Sequence, residues 1–119
     1  MGGWVVSYEM YESMPDSLGF DLRAALVENG VELSSPPSEI LLELTGENDG
    51  PAWHWIVKLY SGGFAYIEGS CDYTGWDCRS SCYAHEASSA EAARAVAAED
   101  IQRLFDEMIA AGITQRSTP

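Results

Sequence analysis

The middle of the chain constrains the fold most, because three strand-like runs there are separated by two turn-forming loops. Residues 53–60 form the first run, and residues 61–63 supply a Ser-Gly-Gly loop in which glycine can adopt the left-handed conformation. Residues 64–71 form the second run, residues 72–77 a longer polar loop, and residues 78–85 the third run. Such runs, rich in aromatic and β-branched side chains, are typical of strands. The sequence therefore predicts an antiparallel meander.

Side-chain alternation sorts this meander into two faces. A three-residue first loop places Val57 opposite Ile67, and the second hairpin places Cys71 opposite Cys78. The first face is apolar and carries Trp53, Trp55, Val57, Leu59, Ala65, Ile67, Cys71, Cys78, Cys82 and Ala84. The second face mixes aromatic and charged side chains and carries His54, Ile56, Lys58, Tyr60, Phe64, Tyr66, Glu68, Arg79, Tyr83 and His85.

Helices are predicted on both sides of the meander in sequence. The segment Pro15-Asp16-Ser17 has helix-starting chemistry, and Asn29-Gly30 has helix-ending chemistry. Ser88 and Glu91 have the spacing of a capping box, and an apolar stripe at helical spacing continues from there towards Gly112. The small side chains in the first half of this C-terminal helix match the small residues at one side of the apolar face. We therefore expect the C-terminal helix to pack on that face.

Two shorter elements complete the prediction, a strand over residues 4–8 and a short helix over residues 39–45. The predicted fold class is α+β: an antiparallel three- to four-stranded meander sheet with a C-terminal helix packed on one face and an N-terminal helix. Residues 1–113 are predicted to form a single domain, and residues 114–119 a frayed tail. The aromatic face is either an exposed protein interface or is covered by the helix near residues 16–29, which would give three layers.

The charge of the chain is strongly unbalanced. It has 19 acidic and 6 basic residues, a net charge of -13 over 119 residues, and Arg23 is the one basic residue among the first 50. A polyanion is repelled by nucleic-acid phosphates and by anionic membranes, so neither is expected as a direct partner. Basic protein surfaces, including the grooves of nucleic-acid enzymes, are the favoured partners, and solubility is the alternative use of the charge. Since the acids of the C-terminal helix lie three or four residues from Arg103, we expect the recognition surface in the first half of the chain.

Partner-binding residues are predicted among these N-terminal acids and among the tyrosines of the aromatic face. They are Glu28, Glu32, Glu39, Glu43, Glu47, Asp49, Tyr60, Tyr66 and Tyr83. In this interpretation the carboxylates meet a basic surface and the tyrosines anchor the contact.

The three cysteines invite a metal or redox interpretation. Cys71, Cys78, Cys82 and His85 place four zinc-ligand types within fifteen residues, but their spacing matches no common zinc knuckle. Alternation also turns His85 to the face opposite the cysteines, so no metal site is predicted. A Cys71–Cys78 disulfide is geometrically accessible, and three reduced, buried thiols are the other interpretation. The sequence contains no familiar catalytic or cofactor-binding motif, and we expect a protein that is not an enzyme and needs no cofactor.

One stretch of the chain resembles a known group of sequences. Residues 69–80, Gly-Ser-Cys-Asp-Tyr-Thr-Gly-Trp-Asp-Cys-Arg-Ser, follow Phe-Ala-Tyr-Ile at residues 64–67. This hairpin with its CDYTGWDC core is similar to one in short, uncharacterised phage and bacterial proteins. The resemblance covers residues 64–80, about a seventh of the chain. It implies a mobile-element setting, in which small acidic proteins commonly act as anti-CRISPR or anti-restriction inhibitors of host defence.

These observations together predict a small acidic protein that inhibits a nucleic-acid-handling host defence enzyme by occupying its basic surface. The start of the chain lacks a positive n-region, and no apolar run approaches the roughly 18 residues of a membrane span, so the expected location is cytoplasmic, in the host cell if the protein is phage-encoded. An immunity protein or antitoxin that caps a cognate toxin is the second hypothesis. A small zinc-binding or redox protein that uses the cysteines is the third.

Overall fold

A computed structural model of the chain describes residues 11, 14–47, 51–72 and 79–117. The described residues form one sheet of five strands in the spatial order β4-β3-β2-β1-β5. The strands are β1 Pro37–Glu47, β2 Pro51–Leu59, β3 Phe64–Asp72, β4 Arg79–Ala87 and β5 Gln115–Ser117. The first four strands pair antiparallel in sequence order, whereas β5 pairs parallel to β1. The sheet is therefore an antiparallel meander that is extended beyond β1 by one short parallel strand.

The helices in the described ranges lie on both faces of this sheet. They are a 3₁₀ turn at Asp16–Leu18, α1 at Phe20–Glu28, α2 at Ala90–Arg94 and α3 at Glu99–Ala111. α3 ends at Gly112, whose φ of 70° is the left-handed conformation that glycine adopts most readily. The α+β class predicted from the sequence is confirmed, with a mixed sheet of five strands in place of an antiparallel one of three or four.

Two apolar cores separate the layers. The first core lies between the sheet and the α1 layer, and its buried members are Tyr11, Met14, Leu18, Leu22, Ala25, Leu26, Val31, Leu33, Trp55, Val57, Leu59, Ala65 and Ile67. The second core lies between the sheet and the α2–α3 layer, and its buried members are Leu42, Leu44, Ile56, Tyr66, Ala93, Ala97, Phe105 and Met108. Burial of apolar area on both faces is the main stabilising contribution in such a three-layer arrangement.

The region predicted as a short helix over residues 39–45 is instead part of strand β1. Its Glu and Leu residues are good helix formers, but pairing with β2 over the whole strand outweighs this weak local preference. A register shift between Ile40 and Leu42 interrupts the alternation, so that Leu41 and Leu42 both reach the second core. The irregularity removes the period-two pattern by which a strand is recognised in a sequence.

The register of both hairpins differs by two residues from the prediction. Val57 lies opposite Ala65 rather than Ile67, and Cys71 lies opposite Ser80. The Leu59 N–H donates to the Gly63 carbonyl at 2.8 Å, so the first loop spans residues 60–62 rather than the predicted 61–63. A shift of two leaves each side chain on its predicted face, because alternation also has a period of two.

The helix layers are exchanged relative to the prediction. The C-terminal helix was expected on the face of Trp55 and Ile67, but α1 covers that face, and α2 and α3 cover the face of Tyr66. On the Tyr66 face, β1 contributes Leu42 and Leu44 to the apolar area against which α2 and α3 pack. The C-terminal helix is also divided into α2 and α3, and the cap of α2 is Ser89.

Two further predictions concern the ends of the chain. Residues 115–117, predicted as part of a frayed tail over 114–119, form β5, which is tied to β1 by parallel pairing and by the Arg116–Glu107 ion pair at 3.0 Å. The strand predicted over residues 4–8 lies outside the described residues.

Candidate acidic groove beside helix α1

A groove of about 360 Å³ opens between α1 and the adjoining end of the sheet. We call it the α1 groove, and its lining residues are Phe20, Asp21, Ala24, Ala25, Glu28, Trp53, Ser70, Cys71, Ser80 and Ser81. The lining combines two aromatic rings, two carboxylates and small side chains. None of these lining residues is lysine or arginine.

The position of α1 follows from its apolar stripe and from a close approach to β3. Leu22 and Leu26 are buried in the first core, which fixes the inward face of the helix. Ala25 packs over Gly69, where a Cβ atom would lie 3.5 Å from the Ala25 Cβ and 3.4 Å from the Trp55 ring. Since the inward face of α1 is fixed against β3 in this way, the helix residues beside that face line the groove and not the core.

The Trp53 ring, which lines the groove, stacks on the buried ring of Trp55. Trp55 is fully buried, and its indole N–H donates to the Glu43 carboxylate at 2.8 Å. Trp53 is half-buried and lies parallel to Trp55, with ring centroids 6.0 Å apart and an interplanar angle of 5°. The parallel arrangement of an anchored ring and a partly exposed one presents the Trp53 indole as a supported surface. Phe20, which is 79% exposed, stands on the helix side of the same groove.

Four carboxylates belong to this side of the molecule. Asp21 and Glu28 are exposed and line the groove from α1. On β1, Glu43 pairs with Trp55 and Glu47 lies four residues further on, so alternation places both on the sheet face that carries the Trp53 ring. This surface is therefore acidic over α1 and over the neighbouring end of β1.

The basic side chains with described ion pairs are engaged elsewhere. Arg23 donates to the Met14 carbonyl at 2.9 Å and lies 3.8 Å from Asp16. Arg94 pairs with Asp106 in the α2–α3 layer, where Gln102 also accepts from it. None of these described ion pairs includes Asp21 or Glu28, the two carboxylates that line the α1 groove.

The structure brings together only some of the residues predicted to bind a partner. Glu28, Glu43 and Glu47 belong to the acidic surface around the α1 groove. The other predicted acids do not, since Glu32 lies in the loop after α1, Glu39 near the start of β1, and Asp49 outside the described residues.

The predicted tyrosines are separated as well. Tyr60 is exposed in the turn after β2, and Tyr83 is 50% exposed on β4 at the opposite face of the sheet. Tyr66 is only 1% exposed and packs edge-on against Phe105, so it belongs to the second core rather than to a contact surface. Phe20, Asp21 and Trp53 are absent from the predicted partner-binding residues, although positions 20, 21, 24 and 28 have the spacing of one helix face.

A second polar cluster lies on the α3 side of the sheet. His54 Nδ1 is 2.7 Å from the Tyr66 hydroxyl, and the Tyr83 hydroxyl donates to Glu68 at 2.5 Å. Burial raises the pKa of Tyr66 and raises that of Tyr83 to about 12, while burial lowers the pKa of His54. The phenols thus remain protonated donors and His54 remains neutral at ordinary pH, a state that suits a structural hydrogen-bond network.

The cysteines divide into two kinds. Cys82 is a free, half-buried thiol, and burial raises its pKa to about 12, which keeps it protonated and unreactive. Cys71 is disulfide-bonded, and its predicted partner, Cys78, lies outside the described residues. The Cys71–Cys78 pairing stays a prediction. His85 is exposed on β4, and among the described residues no three His, Cys, Asp or Glu side chains are grouped to hold a metal ion.

None of the helices in the described ranges is long and apolar enough to cross a membrane. Comparison with protein-family models, with curated proteins and with solved structures gave no match for this chain. The function must therefore be argued from the α1 groove itself.

Proposed function

We propose that the protein is a small acidic binding protein that inhibits a nucleic-acid-handling enzyme of the host by occupying its basic surface. The observation that carries the proposal is the α1 groove, which joins the supported Trp53 indole, an exposed phenyl ring and two carboxylates, with no lysine or arginine among its described lining residues. Aromatic residues are enriched in protein-binding hot spots, and a polar rim surrounds the apolar centre of such interfaces. Charge complementarity would steer a basic partner to this side of the molecule.

The nucleic-acid enzyme is the favoured class of partner because its substrate groove must be basic. A protein with a net charge of -13 competes electrostatically with nucleic-acid phosphates for such a groove. The similarity of the residue 69–80 hairpin to phage and bacterial sequences adds the setting of an anti-CRISPR or anti-restriction inhibitor. The central residues of that hairpin, 73–78, lie outside the described ranges, so this support comes from the sequence alone.

Affinity capture with a matched pair of variants tests the proposal. Wild-type protein, Asp21→Lys/Glu28→Lys and the control Glu91→Lys/Glu99→Lys would each be immobilised and exposed to a nuclease-treated bacterial lysate over a salt series. Both double variants change the net charge equally, but only the first changes the α1 groove. We expect the wild type and the control to capture one nucleic-acid enzyme, and the α1 variant to bind it at least about tenfold more weakly, a loss near 1.4 kcal/mol.

The captured enzyme would then be assayed with increasing amounts of each purified protein. Inhibition by the wild type and the control, but not by the α1 variant, would support the proposal. Equal capture by all three proteins would overturn it, because the groove would then not be the binding surface. Capture of a toxin in place of a nucleic-acid enzyme would replace it with the immunity or antitoxin hypothesis, which the same acidic surface would serve.

A further inference from the structure

The two carboxylates of the α1 groove lie near opposite ends of helix α1. Asp21 and Glu28 lie seven residues apart on one helix, which corresponds to about 10 Å along its axis. Both line the same groove. Together, the two carboxylates can accept hydrogen bonds from a cation that donates in more than one direction.

The wall of the groove is suited to a flat cation. Trp53 is supported by the parallel ring of Trp55, and tryptophan is the best aromatic partner for a cation placed over its face. A guanidinium group stacks on such a ring more readily than an ammonium group does, because it is planar and less strongly hydrated.

The rest of the lining fits the chain that would carry such a cation. Ala24, Ala25 and Phe20 give the groove an apolar side, against which a methylene stem can pack while its charged head meets the carboxylates. Ser80, which accepts from Asn29 Nδ2 at 2.9 Å, adds a hydroxyl at the β4 side. An arginine side chain combines this apolar stem with a planar head that carries five N–H donors.

We infer that the α1 groove binds an arginine side chain of the partner, with the guanidinium stacked on Trp53 and donating to Asp21 and Glu28. This inference rests on the proposed function and deepens it by naming the chemical group that the acidic surface takes. The small side chains of the lining leave room for the arginine, which larger side chains would fill.

A small-molecule titration tests the arginine site directly. Labelled protein would be titrated with Nα-acetyl-arginine methylamide, with the corresponding lysine compound and with the citrulline compound, while the Trp53 indole N–H signal is followed by NMR. Citrulline has nearly the shape of arginine but no charge. We expect saturable shifts with arginine at a Kd of about a few millimolar, binding several-fold weaker with lysine, and no binding with citrulline.

The variant Asp21→Asn/Glu28→Gln should lose the arginine response, and the control Glu91→Gln/Glu99→Gln should keep it. Equal responses to arginine and citrulline would overturn the inference, since charge would then not matter. An absent arginine response would overturn it too. If capture of the enzyme by the wild type still depended on the α1 groove, the proposed function would stand and only its arginine anchor would be rejected.

Discussion

His54 illustrates how a single buried side chain makes stability depend on pH. Burial lowers its pKa, although the nearby carboxylates of Glu68 and Asp100 act in the opposite direction. The unfolded chain therefore binds a proton at His54 more readily than the folded protein does. The free energy of unfolding should then fall as the pH decreases below about 6.5, the ordinary pKa of histidine, and continue to fall until the lower folded pKa is passed.

The test compares urea unfolding of the wild type with that of His54→Asn at pH 7.5 and pH 5.5. Asparagine can replace Nδ1 as a hydrogen-bond partner of Tyr66 but does not titrate. We expect the wild type to lose more stability than His54→Asn over this interval, because only the wild type has a histidine that titrates at position 54. The carboxylates titrate in both proteins, so their contribution cancels in the comparison. A wild type and variant with the same pH dependence would show that His54 does not contribute. His85→Asn on β4 is the matched control.

The start of α2 depends on one hydroxyl group. The Ser89 Oγ accepts from the Ala92 N–H at 3.0 Å, and Ser89 has the extended backbone of an N-cap. The capping-box spacing in the sequence points instead to Ser88. The variant Ser89→Ala should lower the free energy of unfolding by about 1 kcal/mol, since a first-turn N–H loses its acceptor.

The matched control for this prediction is Ser88→Ala, one residue earlier in the same turn. We expect its unfolding midpoint in urea to stay close to that of the wild type. If the two variants were equally destabilised, or if Ser88→Ala had the lower free energy of unfolding, the N-cap would have to be reassigned to Ser88.

The net charge of -13 acts on the whole molecule as well as on its partner. Mutual repulsion of the acids opposes the compact state, and salt weakens that repulsion as the Debye length falls from about 30 Å at 0.01 M to about 10 Å at 0.1 M. Sodium chloride over this range should therefore raise the thermal unfolding midpoint while it weakens capture of a basic partner. A midpoint that falls with added salt would mean that local ion pairs, such as Arg94–Asp106, outweigh the repulsion.

Much of the sheet could be predicted because alternation is a robust signal. Trp55, Ile67 and Cys82 share a face, as predicted, even though both hairpin registers are shifted by two residues. The irregular register hides β1, and β5 has only three residues that carry no pattern of their own. The helix layers were exchanged in the prediction because β1, which contributes Leu42 and Leu44 to the second core, was not recognised as a strand.

The α1 groove was only partly predictable for a different reason. Glu28 was recognised from its charge, but Trp53 was assigned to the apolar face and thus to the core. Its partial exposure depends on how α1 packs against the sheet, which is a tertiary property. Phe20 and Asp21 lie near the predicted helix start, where an apolar and an acidic residue are equally compatible with an ordinary first turn.

The pairing of Glu43 with Gln115 has a consequence for the chain as it is made on the ribosome. The meander β1–β4 can form from consecutive hairpins as it emerges, but the β5 neighbour of β1 is synthesised only after α3. Until then the segment Glu43–Thr45 lacks its parallel neighbour, and a nascent chain presents the kind of open edge that promotes misassembly. Because only residues 112–114 join α3 to β5, the closing of that edge is coupled to the docking of α3 on the second core.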